Sequence, residues 1–539
     1  MTTTPESPAA VTTHGASVVL LTLASGQFLM TLDSSVMNVS ISTVAEDLGT
    51  SVTGIQTAIT LYTLVMASLM ITGGKIGAMI GRRRAFTIGC VVYGAGSLTT
   101  SLAPNLGVLI LGWSVLEGIG AALIMPAIVA LVATNFEQAE RPRAYGVVAA
   151  FAAIAVAVGP LIGGVFTTYA SWRWVFAGEV LIVLVILVLM RRMADAPPDE
   201  GAKLDLVGTG LSALGLGLVV LGILQGGTWG FVSPKPGAPV WLGVSPVLWM
   251  VLGGGLVLRA LVAWENRRSE RGASILLNPD MLRNERLRGG LVSFFLQYFL
   301  QSGLFFVVPL FLSVALGLSA IDTGLRLLPL SLALLVTALA IPKLLPDVSP
   351  RKVVRFGFAA LFVGTALLTA GLSIGVGPEV VTVPMLFAGL GIGALASQLG
   401  SVTVAAVPDE QSAEVGGLQN TVTFMGAAVG TALAGAILMS ALTTSFFQGI
   451  EGNPDVPDNL SSQAEVQLSS GVPFVSDAQL EQALADAGVT GDTADAVVTE
   501  NEDARLAGLR VALAALALVA LGALFAAGSI PNRQPGSGG

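Results

Sequence analysis

Residues 107–134 read GVLILGWSVLEGIGAALIMPAIVALVAT, a run of 28 residues with a single charge, Glu117. At about 1.5 Å of rise per residue, a helix of this length crosses the roughly 30 Å hydrocarbon core of a bilayer. Working outward, runs of about 20 apolar residues begin near Ser17, Gly54, Ala85, Gly107, Ala144, Trp174, Leu206, Pro246, Gly289, Gly324, Val353, Val381, Val415 and Ala507, fourteen in all. The 539 residues are 53% hydrophobic and 11% charged, with mean hydropathy +0.81, which excludes a water-soluble globular class. No alternation of period two is sustained and the spacers are short. The fold expected is therefore an all-α polytopic membrane protein and not a barrel.

Glu117 has two counterparts, Asp33 in the first run and Glu179 in the sixth. A carboxylate at mid-membrane costs about 2.5 to 3.5 kcal/mol on insertion scales, so each is either a hydrogen-bonding neighbour of another helix or a site for protonation or cation binding. The only cysteine, Cys90, lies in the third run, and the only histidine, His14, in the N-terminal tail. A disulfide, a thiolate metal site and a histidine relay are thereby excluded, which leaves carboxylates as proton carriers; no metal or other cofactor is expected. The polar start lacks Lys and Arg, and the run after it contains Asp33, so the first segment reads as retained and not as a cleaved signal.

With fourteen crossings, 21 of the 26 Lys and Arg fall on one side, in clusters such as Arg82-Arg83-Arg84, Arg191-Arg192, Arg267-Arg268 and Arg351-Lys352. Arg173, Lys235, Arg326, Arg505 and Arg510 are the exceptions. The positive-inside rule then predicts that both termini are cytoplasmic, and the expected location is a plasma membrane of the bacterial inner-membrane type. Residues 445–503 hold twelve acids and no base before Arg505, and should be extracellular. That loop is either a solvated cap or a weak concentrator of cations, an effect screened beyond about 8 Å at physiological salt. Within it, Ala478, Leu480, Ala483 and Leu484 share a helical face, which predicts a short helix capped by Ser476 or Asp477.

The Pro-containing connector MADAPPDEGAK, 193–203, separates six runs from the rest, and six more remain from Gly289 onward. The partition expected is a six-helix bundle in 1–193, a linker with two inserted spans in 194–270, a cytoplasmic interfacial segment in 271–288 with a helix over 275–288, a second six-helix bundle in 289–530, and a tail in 531–539.

Several motifs carry a resemblance. GGKIGAMIGRRR, Gly73 to Arg84, resembles the G-x-L-a-D-r-x-G-r-k-r signature of the major facilitator superfamily. AVAVGPLIGG, 155–164, is similar to that superfamily's antiporter motif, and LDSSVMNVS, 32–40, to the helix 1 motif of its fourteen-helix drug:proton antiporters. SWRWVF, 171–176, and GGLQNTVTFMGAAVG, 416–430, follow in the expected order. The resemblance implies a major facilitator fold, two six-helix bundles plus two inserted helices, and gating or antiporter roles for Gly74, Gly77, Gly81, Arg82, Arg83, Gly159, Pro160, Gly163 and Gly164. The same residues also read as close-packing glycines, a proline that bends a helix, and a basic topology anchor. Gly73, Gly74 and Lys75 do not make a phosphate loop, because the glycine spacing and the Ser or Thr are missing.

The departures are specific. Ala78 stands at the signature's acidic position, and in SVLEGIGAA, 114–122, Ser114 stands where the family has arginine and Glu117 where it has glutamine. Met30, Asp33 and Met37 share a face of the first helix, either as a packing stripe or as an adaptable wall beside the acid. Phe294, Gln297, Tyr298, Gln301 and Phe305 form a second candidate wall, and Asn420 with Phe424 a third, although membrane amides also simply join helices.

The function expected is proton-coupled export of amphipathic or cationic drugs by a monomer, with small-molecule substrate, protons and lipid as its partners and no nucleic acid. The rival on the same fold is a dedicated exporter of a lipid, pigment, antibiotic or other metabolite. A non-transporting receptor or a membrane enzyme is the rival of another class; no metal-ligand cluster, nucleophile-histidine pair or nucleotide motif supports the enzyme.

Overall fold

Ser51, Asn105, Asp205, Ser245, Asn284, Ser319 and Ser349 each accept a backbone N–H two or three residues ahead, and each is followed by a long apolar helix. Such caps satisfy donors that a helix leaves open at its start, and within a bilayer every other backbone group must be satisfied inside the helix. The computed structural model describes residues 13–195, 198, 203–235, 237–457 and 474–532, and at a few helical positions, Pro160 among them, only the backbone.

The helices are α1 (Thr13–Asp47), α2 (Val52–Ile80), α3 (Arg82–Ser101), α4 (Leu106–Asn135), α5 (Arg141–Tyr169), α6 (Arg173–Leu189), α7 (Leu206–Trp229), α8 (Pro246–Glu270), α9 (Glu285–Leu310), α10 (Ala320–Leu344), α11 (Pro350–Gly371), α12 (Thr382–Val404), α13 (Ser412–Gly452), α14 (Asp477–Asp486) and α15 (Asp492–Ala526). Among the described residues, thirteen helical segments are long and apolar enough to cross a membrane. The more polar α3, 20 residues long, packs on α4 and α6 and completes fourteen spans. Large apolar side chains such as Leu181, Leu256 and Phe525 are exposed on the outside while acids lie within, the distribution a lipid solvent imposes.

Two large cores result. One is built mainly from α1 to α6, the other from α9 to α13 and α15. The bundles meet along α2 and α4 against α13, and α5 against α10 and α12. The inserted pair α7 and α8 pack on one another, and α7 covers the seam by touching both α2 and α13.

Two expectations need correction. The interfacial helix over 275–288 does not form: Pro279 and the capping residues Asn278 and Asn284 confine it to a short 3-10 turn before α9, while Leu276, Leu277 and Met281 sink into the first core. The acidic segment is not a plain loop. α13 runs on to Gly452 and α15 starts at Asp492, about four turns ahead of Ala507, because Phe446, Ile450, Val456, Val497 and Ala504 give the two extensions a small core of their own. The short helix does form, as α14, with a capping box at Ser476, and Asp477 bonds the fully buried Arg505. Residues 458–473 of the acidic segment, most of the 193–203 connector and the 533–539 tail lie outside the described residues.

Candidate functional site

The three intramembrane acids, far apart in sequence, converge. One carboxylate oxygen from each of Asp33, Glu117 and Glu179 lies within 4.8 Å of the others, and all three side chains are buried. α1, α4 and α6 supply the acids, and α3 supplies a polar stripe at helical spacing. Ser97 donates to Glu179 at 3.0 Å, with Tyr93 Oη at 3.5 Å, and Thr100 donates to Glu117 at 3.2 Å. Trp113 Nε1 donates to Asp33 Oδ1 at 2.7 Å, and the Trp113 ring stacks on Tyr62 of α2 at 5.0 Å. Residues 110–117 of α4 form a π-helix, which widens the turn that presents Trp113 and Glu117; such bulges recur at functional sites. Gly96 makes room: a Cβ there would stand 2.6 Å from Glu117 Cγ.

Among the described residues none of the three acids has an ion-pair partner, and Asp33 Oδ2, Glu117 Oε2 and Glu179 Oε1 have no hydrogen-bond partner. Ser114, at the family's arginine position, spends its hydroxyl on the Ala58 carbonyl of α2 at 2.8 Å. Three bare negative charges at this spacing would repel and lose hydration at a cost of several kcal/mol each, on the order given for buried ions. The cluster is chemically fit to hold protons or one oxygen-liganded cation. Glu179 is 1% exposed, enclosed by α3.

At the end of the bundle that carries most Lys and Arg, polar contacts tie the halves together. Lys75 of α2 pairs with Glu414 of α13 at 3.2 Å, both buried. Arg82 donates to the carbonyls of Asp409 and Glu410 at 2.7 and 3.1 Å and to Thr134 at 2.9 Å, and Arg141 pairs with Asp409 at 2.9 Å. Gly81 links α2 and α3 at φ 97°, a conformation that favours glycine, and Arg83, two residues on, reaches the connector through Asp195 and the Met193 carbonyl. A Cβ on Gly74 would stand 2.5 Å from the Ala413 carbonyl, so α2 touches α13 backbone to backbone; Gly77 faces Ala85 at an ordinary distance. Gly159 lies on Ser35 and Gly163 on Val36, joining α5 to α1, whereas Gly164 meets nothing; the side chain of Pro160 is outside the described residues.

At the opposite end the SWRWVF segment binds α6 to α1. Trp172 Nε1 donates to Asp47 at 3.0 Å and Arg173 pairs with the same carboxylate, holding it below the ordinary aspartate range. Between the two ends lie two adjoining cavities of about 1250 and 290 Å³. Met30, Gln297, Tyr298, Gln301, Asn420 and Phe424 line the smaller, and Phe305 and Phe424 line both. Met37 and Phe294 line neither; Met37 packs in the first core and Phe294 against the second. Asp33, about 60° around α1 from Met30 by helix geometry, turns away from the cavities toward Trp113. The larger cavity extends along Ser440, Thr443 and Thr444 toward the acidic end and takes part of its wall from the inserted α7 and the turn after it.

Sequence reasoning missed Tyr62, Tyr93, Ser97, Thr100 and Trp113. The available signal was the spacing of Tyr93, Ser97 and Thr100 on the least apolar span, which puts one polar face into the bundle.

The chain is 33% identical over 435 residues to the puromycin resistance protein pur8 of Streptomyces alboniger, covering 78% of this chain and 82% of that protein. It is 30% identical to a probable actinorhodin transporter of Streptomyces coelicolor, over 81% of this chain and 74% of that one, and 24% identical to the multidrug resistance protein Stp of Mycobacterium tuberculosis, over 85% and 82%. Its fold matches the human organic anion transporter MFSD10, with a TM-score of 0.57 at 13% identity over 95% of this chain and 98% of that one. It also matches the proton:xylose symporter XylE, with a TM-score of 0.51 over 92% and 95%. The family description matched by residues 23–431 settles the membership: the chain belongs to the Major Facilitator Superfamily.

Proposed function

We propose that this transporter exports amphipathic drug-like or antibiotic-like compounds in exchange for protons, from a plasma membrane in which both termini face the cytoplasm. The observation that carries the reading is the sealed group Asp33, Glu117 and Glu179, three acids without a counter-ion. In this reading protons enter from the acidic end, neutralise the group, and leave on the basic side once the gate of Lys75, Arg82 and Arg141 opens. The 1–193 and 289–530 bundles rock about the cavities, which are closed at the basic end and lead to the acidic, outer end. One inward proton yields about 2.3 kcal/mol per 100 mV, enough for roughly 50-fold accumulation.

A second reading keeps this cycle and restricts the cargo to one metabolite. It is favoured by the names of relatives, an actinorhodin transporter and a cephamycin export protein. The test for both is purified protein in proteoliposomes with an imposed pH gradient, screened over dyes and metabolites. Antiport predicts gradient-driven substrate movement with counter-flow of protons, lost in Asp33→Asn. Substrate movement indifferent to both the gradient and Asp33→Asn would overturn proton coupling.

A further inference from the structure

The two cavities have, among their described lining residues, one charged side chain: Lys235. No acid is among those described residues. The three carboxylates that suggested a cationic cargo are walled off: Tyr62 faces the larger cavity, Trp113 stacks behind it, and Asp33 lies on Trp113. A cation in the cavity would therefore meet no negative side chain among the described lining residues, whereas an anion would meet an ammonium at the half-exposed mouth, where a charge beside apolar walls focuses the field on an entering ligand.

Lys235 is placed by a built turn. Gly230, at φ 82°, reverses the chain after α7, and a Cβ there would stand 2.1 Å from the Ser233 carbonyl. The Lys235 backbone N–H bonds the Trp229 carbonyl at 3.0 Å, and Ser245 N–H bonds the Val232 carbonyl at 2.8 Å. Phe231 folds back onto Gly226, where a Cβ would stand 2.4 Å from its ring. Lys235 Nζ donates to the Gly227 carbonyl at 2.8 Å and pairs with no acid among the described residues, so it retains donors for a ligand. The same cavity is lined by Tyr62, Phe231, Phe305, Phe306 and Phe424, ring faces and edges suited to a flat aromatic body.

We propose that the cavity prefers amphipathic aromatic anions, compounds bearing a carboxylate or phenolate, and that Lys235, contributed by the turn between the two inserted helices, sets this preference. The inference rests on the exporter reading and names its substrate class. It also gives the inserted pair a role that a twelve-helix core could not supply, a charged residue delivered to the cavity mouth from outside both bundles.

The test is equilibrium binding by fluorescence polarisation to the detergent-purified full chain, at mildly alkaline pH, with fluorescein as the anionic probe and rhodamine 123 as a cationic probe on the same ring system. The wild type should bind fluorescein at least about fivefold more tightly. Lys235→Gln should weaken fluorescein about tenfold and leave rhodamine 123 within about twofold, Lys235→Arg should keep the preference, and Lys235→Glu should reverse it. Equal or stronger rhodamine binding by the wild type, equal loss of both probes in Lys235→Gln, or no binding of either probe overturns the proposal. No gradient is present in this assay, so the two readings fail separately. Preference without proton-driven transport removes the antiport reading alone, and transport without preference removes this inference alone.

Discussion

Lys75 and Glu414 meet at 3.2 Å across the two bundles, more than three hundred positions apart in sequence and almost wholly shielded from solvent. The signature between α2 and α3 lacks its acid, with Ala78 in that place, and the charge partner of this turn is found instead on α13. Removing one member of a buried pair leaves the other uncompensated, at a cost of about 3–5 kcal/mol, while removing both costs less. Glu414→Gln should therefore lower export at least about fivefold, and Lys75→Gln with Glu414→Gln should be milder than Glu414→Gln alone. Export rates normalised to protein in the membrane decide this; strictly additive losses would show that the pair does not hold the gate.

The three acids should now behave as a unit. Asp33→Asn, Glu117→Gln and Glu179→Gln each leave two carboxylates to share the remaining protons, and each should reduce pH-driven export about tenfold or more. Glu179→Gln is expected to be as severe as the others, since the side chain is enclosed by Ser97 and Tyr93. Wild-type export and pH dependence in all three variants would rule out coupling at this cluster.

Gly96→Ala should impair transport strongly, because its Cβ would stand 2.6 Å from Glu117 and 2.7 Å from the Gly112 carbonyl, with α4 backbone unable to yield. Gly164→Ala, which meets nothing within 4 Å, should be silent. Thermal stability in detergent and transport, measured together, separate a misplaced Glu117 from general unfolding.

Asp47 titrates below the usual aspartate range because Arg173 and Trp172 bond its charged form. A group with a lowered folded pKa adds stability above its unfolded pKa and loses it as pH falls through the folded value. The pair is partly exposed, so after screening its worth is below about 1 kcal/mol. Asp47→Asn should lower the melting temperature slightly at neutral pH, and the difference from wild type should vanish in acid. A difference that persists there would assign the effect to packing.

Orientation is checked with single cysteines in a Cys90→Ala background. Glu481→Cys on α14 should react with an impermeant maleimide from outside only, and Arg283→Cys, exposed on the basic end, from inside only. The reverse pattern would invert the membrane topology.

The class of solvent, the number of spans and the family were legible in the residues alone. Each of these is written in local runs: a span needs only about 20 consecutive apolar residues, and GGKIGAMIGRRR or AVAVGPLIGG is read without knowing what it touches. The residues also showed three acids out of place. Only the tertiary structure brought them within 4.8 Å, enclosed Glu179, turned Asp33 away from the cavity that Met30 faces, and paired Lys75 with Glu414. It alone showed that the two ends of 445–503, up to Gly452 and from Asp492, are helical extensions around a small core, because acids on their outer face mask the stripe of Phe446, Ile450 and Val497 beneath. Lys235, an exception to the charge rule in sequence, became a cavity residue only through the fold of its turn. The physical division is between length and composition, which each segment carries alone, and the rotation and depth of each helix, which are set by the neighbours it packs against.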